Sequence, residues 1–188
     1  ASLPSVTPGT LIADVGVIRC RPIINEVQAG SSGSAEDEWA EIYNPCTVAI
    51  DVSAFTLNYR AANDGIAQPD RNFLVQLAGT MQPGELRLFG GDMVPEPLTA
   101  TWGNGVMQSN NGGLGLRDGP TTTGILVDSV TYGNTNGNPF TETASTMQLD
   151  QTFVIARRPF DGNDTDNNSL NFVRIPIIAS SPGVRHVP

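Results

Sequence analysis

Lysine is absent from this chain. All ten basic residues are arginine, set against 19 acids, and the net charge is −9. A duplex-binding surface needs clustered positive charge, so this balance argues against nucleic acid as a partner. It argues equally against a polybasic membrane anchor. Histidine is nearly absent too: His186 stands alone in a Pro-flanked tail. A serine or cysteine triad would have to recruit it from there. The two cysteines, Cys20 and Cys46, are too far apart for a close-spaced redox pair, and with one histidine they make no zinc set. No apolar run reaches the length of a transmembrane helix. Sustained helical periodicity is missing, and so is any repeat of fixed period. No glycine-rich phosphate loop leads into a helix. A signal peptide is not visible, and the sequence leaves open whether Ala1 is the end left by one.

What the chain has is turn chemistry. Gly (20) and Pro (14) are abundant, with many Ser, Thr and Asn, and such a composition makes short strands joined by turns. At 188 residues it suits one domain with tails and can bury a real core. Ile23–Val27 and Glu38–Asn44 flank a Gly/Ser/acid run and predict an antiparallel pair. By strict alternation Ile24 and Glu26 share one face of the first strand, and Ile23, Asn25 and Val27 the other. Further strands are predicted at Val48–Val52, Phe55–Tyr59, Phe73–Leu77, Glu85–Phe89, Leu114–Arg117, Ile125–Tyr132, Thr146–Leu149, Phe153–Arg157 and Phe172–Ile175. Met81–Gly84 reads as a type II turn with Gly84 at positive φ. About ten short strands with turns between them make an all-β sandwich. Its candidate core is Ile24, Trp39, Ile42, Phe55, Leu57, Leu86, Leu88, Leu116, Val127 and Val130. Trp39 and Ile42 cannot both face inward in a regular strand, so a bulge intervenes or one faces elsewhere.

Several motifs then occur in one order. Ile23-Ile24-Asn25-Glu26-Val27 and Glu38-Trp39-Ala40-Glu41-Ile42-Tyr43-Asn44-Pro45 are followed by Val52-Ser53-Ala54-Phe55-Thr56-Leu57. Next come Gln82-Pro83-Gly84-Glu85-Leu86 and Val127-Asp128-Ser129-Val130-Thr131-Tyr132-Gly133. Arg158-Pro159, Asp161-Gly162, Asp164-Thr165, Asn167-Asn168, Phe172 and Ser181-Pro182-Gly183 close the series. The chain resembles lamin-tail domains, immunoglobulin-like modules of nuclear lamins and of many exported bacterial proteins. Phe55 stands where the family has Trp, a modest departure, and 60–72 and 90–105 look like insertions. The resemblance implies an immunoglobulin-like β-sandwich over 22–183. A leader at 1–21, with an edge strand at Leu11–Ile18, precedes it, and a tail at 184–188 follows. It also implies a non-catalytic structural or interaction module, extracellular, cell-surface or periplasmic, meeting proteins or cell-surface polymers. Alternatives are a substrate-targeting accessory domain of a secreted hydrolase, or a calcium-dependent adhesion or carbohydrate-binding module.

Four candidate sites follow from the residues. Folding the first two strands together brings Cys20 and Cys46 to one end of the ladder, where a disulfide fits; two buried thiols are the alternative. Glu26 and Glu41 fall on neighbouring strands as a carboxylate pair. The plainer expectation is structural, with Asn25, Glu26, Glu38, Trp39, Glu41 and Asn44 fixing loops and core. Trp102, in the long 90–105 excursion, is either a ligand contact or part of a packed flap. Asp161, Asn163, Asp164, Asp166 and Asn168 place oxygens at alternate positions and suggest calcium. The competing account is a turn whose side chains bond their own backbone.

Overall fold

Alternation writes strands, and strands are nearly all the fold contains. The computed structural model describes residues 20–62, 72–135, 137–158 and 164–184. The predicted edge strand at Leu11–Ile18, His186, Asp161 and Asn163 lie outside them.

Twelve strands run through the described residues. One sheet holds β1 (Ile23–Gln28), β2 (Trp39–Tyr43), β7 (Leu86–Gly91), β8 (Ala100–Gly103), β11 (Phe153–Arg157) and β12 (Phe172–Pro176). Its order is β12-β11-β1-β2-β7-β8. A second sheet, ordered β10-β9-β4-β5, comprises β4 (Phe55–Ala61), β5 (Asn72–Gln76), β9 (Gly112–Asp118) and β10 (Ile125–Tyr132). β3 (Ile50–Asp51) and β6 (Thr80–Met81) pair as a small third sheet. Among the described residues helix is confined to one turn, α1 (Asn168–Asn171), and a 3-10 turn at Ile177–Ala179.

The two large sheets bury one apolar cluster between them. Ile24, Val27, Ile42, Phe89 and Ile155 come from the first; Leu57, Tyr59, Leu114, Leu116 and Val130 from the second. The glycines of β9 make close approach possible. A Cβ on Gly115 would fall 2.5 Å from the Phe140 ring, and one on Gly112 would fall 2.7 Å from the Tyr59 ring.

β2 resolves the Trp39–Ile42 conflict without a bulge of its own. Ile42 faces the main core, while Trp39 is buried on the opposite face with Leu88, Val154, Ala156 and Ile175. The six-stranded sheet therefore has apolar residues on both faces. Leu86 and Val127 are only half-buried.

The bulge lies in β1 instead. The β1–β2 register shifts between Ile24 and Glu26, leaving Asn25 as the extra residue. Ile24 and Val27 both enter the main core. Glu26 therefore turns to the outer face, opposite Glu41, and the expectation that it shares a face with Ile24 is corrected. An inserted residue inverts the alternation beyond it.

Other differences are local. The predicted strand at Thr146–Leu149 is reduced to one bridge between Tyr132 and Thr146. The 90–105 excursion contains β8, paired in parallel with β7. The turn after Met81 behaves as its Pro-Gly pair demands: Gly84 has φ +74°, and Glu85 N–H donates to the Gln82 carbonyl at 3.0 Å. Ile23 pairs with Tyr43, which carries Cys20 to Cys46, and the two form a disulfide with Cα atoms 5.7 Å apart.

Candidate functional site

Charge buried in an apolar sandwich must be paired or hydrogen-bonded, and among the described residues the buried acids Glu26, Glu38, Glu41 and Asp128 fall at three centres. The first joins the two large sheets. Asp128 on β10 and Arg157 at the end of β11 are both fully buried. Arg157 Nη2 donates to Asp128 Oδ1 and Oδ2 at 2.9 and 3.0 Å. Its Nε donates to the Ile24 carbonyl at 2.9 Å, and Nη1 to Asp164 Oδ1 at 3.2 Å. Ile24 N–H returns a bond to Asp128 Oδ2. The guanidinium also lies 4.6 Å from the centre of the Phe172 ring. Burial pushes the Asp128 carboxyl up to about 6, against the pull of Arg157. The bidentate geometry is that of an ion pair.

Glu142 stands beside this pair. Its Oε1 accepts from Ser129 N–H at 2.9 Å and from the Ser129 hydroxyl at 3.0 Å, and Oε2 accepts from Asn168 Nδ2 at 2.8 Å. Burial, then the charges of Asp128 and Asp164, push it up to about 8. Asp128, Glu142 and Asp164 each offer one oxygen, mutually within 4.8 Å, and together could coordinate a divalent cation. A calcium ion needs six or more oxygens, and the Arg157 guanidinium already places a positive charge against two of the three acids.

The predicted calcium series divides here. Asp164 joins Asp128 and Glu142, residues of other segments. Asn168 stands beside Glu142 as a donor, and its Oδ1 already accepts from Thr131 N–H, Thr131 Oγ1 and Glu142 N–H. Asp166 takes a left-handed backbone, φ 52°, and its carbonyl accepts from Thr143 Oγ1. Asn168 and the backbone of Asp166 thus tie this loop to other segments, while within it Asp164 Oδ1 accepts from Asp166 N–H at 3.1 Å and Asn167 Oδ1 from Ser169 N–H at 3.1 Å.

The second centre is Glu38, fully buried ahead of β2. It accepts from Trp102 Nε1 at 3.1 Å, from Val106 N–H, and from Met107 N–H at 2.7 Å. Burial raises its carboxyl, and those three bonds oppose the rise. Trp102 is half-buried against the main core, so the structure places it as the anchor of its own loop. Asn44 has a similar office: its Nδ2 donates to the carbonyls of Val48, Met81 and Gln82, and its Oδ1 accepts from Cys46 N–H.

The third centre is the Glu26–Glu41 pair on the outer face. Asn25 Nδ2 donates to Glu41 Oε1 at 2.7 Å, and Gly183 N–H to Glu41 Oε2 at 2.6 Å. Burial and the neighbouring Glu41 push Glu26 up to about 8; burial pushes Glu41 up to about 7.

An open groove of about 630 Å³ lies along the 133–145 loop. Its polar side chains are largely committed elsewhere. Asn138 bonds the Ala61 carbonyl and Phe140 N–H, and the hydroxyls of Thr131, Thr135 and Thr141 bond one another.

Sequence reasoning missed the Asp128–Arg157 pair and Glu142. A signal existed for one of them: Asp128 interrupts Ile125–Tyr132, where a charge on a buried strand requires a partner. Nothing local pointed to Arg157 as that partner.

No protein-family model matches the chain, and no curated protein matches it. Among solved structures, it is similar to a DUF4876 family protein from Bacteroides thetaiotaomicron. The TM-score is 0.58 and identity 13%, covering 90% of this chain and 72% of that one. At that identity the likeness is one of fold alone.

Proposed function

We propose that the chain is a non-catalytic module of immunoglobulin-like, lamin-tail type, working outside the cytoplasm through contacts with proteins or cell-surface polymers. The observation that carries this reading is where the carboxylates go. Glu38 and Glu41 are fully buried and hold backbone N–H groups of distant loops, as fasteners do and as acid–base catalysts do not. The Cys20–Cys46 disulfide favours an oxidising compartment. The motif order around Ile24-Asn25-Glu26 and Glu38–Pro45 supports the lamin-tail type. The test is direct. Purified chain is assayed against phosphodiester, peptide and glycan substrates, and separately for retention on cell-surface polymers. Retention without turnover is expected; robust hydrolysis that follows the protein through purification overturns the reading.

The Asp128–Glu142–Asp164 group favours a second reading, a calcium-dependent module. Calorimetric titration of calcium into chelator-treated protein, with a melting scan, decides it. Binding heat together with a raised Tm at about millimolar calcium supports it; absence of both rejects it.

A further inference from the structure

We propose that residues 177–184 form a pH-released strap over the outer face of the six-stranded sheet, latched by a single proton that Glu26 donates to Asn25.

The strap lies on that face through three contacts. Ile177 packs against the Trp39, Leu88, Val154, Ala156 and Ile175 cluster. A backbone bond from Ser181 reaches Glu26, and Gly183 N–H reaches Glu41. Beneath it, Val173, Ala156, Glu26, Glu41 and Leu88 stand in one row across five strands. The row contains two acids and no base. Residues 177–184 (Ile-Ile-Ala-Ser-Ser-Pro-Gly-Val) contain no charge at all. Flanking outer positions are Val154, Gln28 and Trp39 on one side and Ile23, Tyr43 and Leu86 on the other. By alternation the exposed Arg158, one residue past β11, is the basic group on this side of that strand.

The hydrogen bonds locate the proton. Both Glu41 oxygens accept, one from Asn25 Nδ2 and one from Gly183 N–H, so when the pair holds one proton Glu41 is the carboxylate and Glu26 the acid. At this site two buried oxygens have no partner: Glu26 Oε1 and Asn25 Oδ1. Both residues are more than nine-tenths buried. Two unpartnered acceptors on adjacent residues are costly to bury, and one proton on Glu26 Oε1 supplies the donor that Asn25 Oδ1 lacks. The β1 bulge brings these neighbours to one face, as the bond from Asn25 to Glu41 attests. Loss of that proton leaves two charges in a dry row. The strap then lifts to let water in, exposing the apolar cluster below.

The experiment is amide hydrogen exchange on the full chain, read as protection factors for 177–184 from about pH 6 to about pH 9. Glu26→Gln is the informative variant, because its amide N–H can replace the carboxylic O–H. With Glu26 pushed up to about 8 by burial and by Glu41, wild-type strap protection is expected to fall about tenfold over this range. Protection of β9 and β10 stays level. In the variant the strap stays protected within about twofold. His186→Gln, run in parallel, keeps the wild-type profile. Flat wild-type protection, a variant that opens like wild type, or loss of the effect in His186→Gln overturns the proposal. Should Glu26→Gln fail to fold, the carboxyl carbon shift of Glu26 in the wild-type protein decides it. A midpoint well above the ordinary glutamate range is expected; a midpoint within that range overturns the latch.

Discussion

Arg157 shows at residue scale how this protein tolerates charge in its interior. It makes bonds to Asp128, Asp164 and the Ile24 carbonyl and stacks on Phe172, so its desolvation is offset on every side. Removing one member of such a pair leaves the other charge buried alone. Arg157→Leu is expected to cost about 3–5 kcal/mol in urea unfolding. Adding Asp128→Asn to that variant should recover part of the loss, because the stranded carboxylate disappears. If the double variant is as unstable as the sum of the singles, the two residues act independently and the clamp between sheets is not what they provide.

At the scale of elements, long loops are fastened to strand ends by single side chains. Glu38 holds the 102–107 segment, Asn44 holds the turn after Met81, and the disulfide ties the entry of β1 to the exit of β2. Cys20 and Cys46 are separated by 26 residues, a closure that contributes about 3 kcal/mol by restricting the unfolded chain. Replacing both with serine is expected to lower the urea midpoint accordingly, with strand content by circular dichroism unchanged. Stability equal to wild type would mean that Pro45 and the Asn44 bonds already restrain this end of the ladder.

For the whole molecule, the buried acids set an unusual dependence on pH. Folding raises Glu26 and Glu142 to about 8, Glu41 to about 7 and Asp128 to about 6, in each case chiefly by burial. The unfolded chain releases these protons near 4.5 for glutamate and 3.8 for aspartate. Between those limits the folded protein binds more protons than the unfolded one, so stability falls as pH rises. Asp51 and Asp150 are held low by bonds to Ser53 and Thr152, and their contribution is lost only as pH falls through the acid range. Calorimetric Tm is expected to be higher at about pH 5 than at about pH 8. A Tm that rises across that interval would show that the three glutamates are ionised and better solvated than their burial implies.

Local pattern was enough to specify much of this molecule. Alternation in Glu38–Asn44 set which residues of β2 face together, Pro83-Gly84 set a turn, and the pairing of Ile23 with Tyr43 made the disulfide geometrically accessible. These are short-range consequences of a two-residue period and of backbone φ preference. The bulge at Asn25 was not read from the sequence: Ile-Ile-Asn-Glu-Val breaks strict alternation, but only the register against β2 decides which residue is the extra one. The pairing of Asp128 with Arg157, 29 residues away, and of Glu41 with Gly183, 142 residues away, was likewise decided only by the tertiary structure. A sequence states which charges exist. Which of them share a dry interior, and so must neutralise one another, is fixed when two sheets close over a common core.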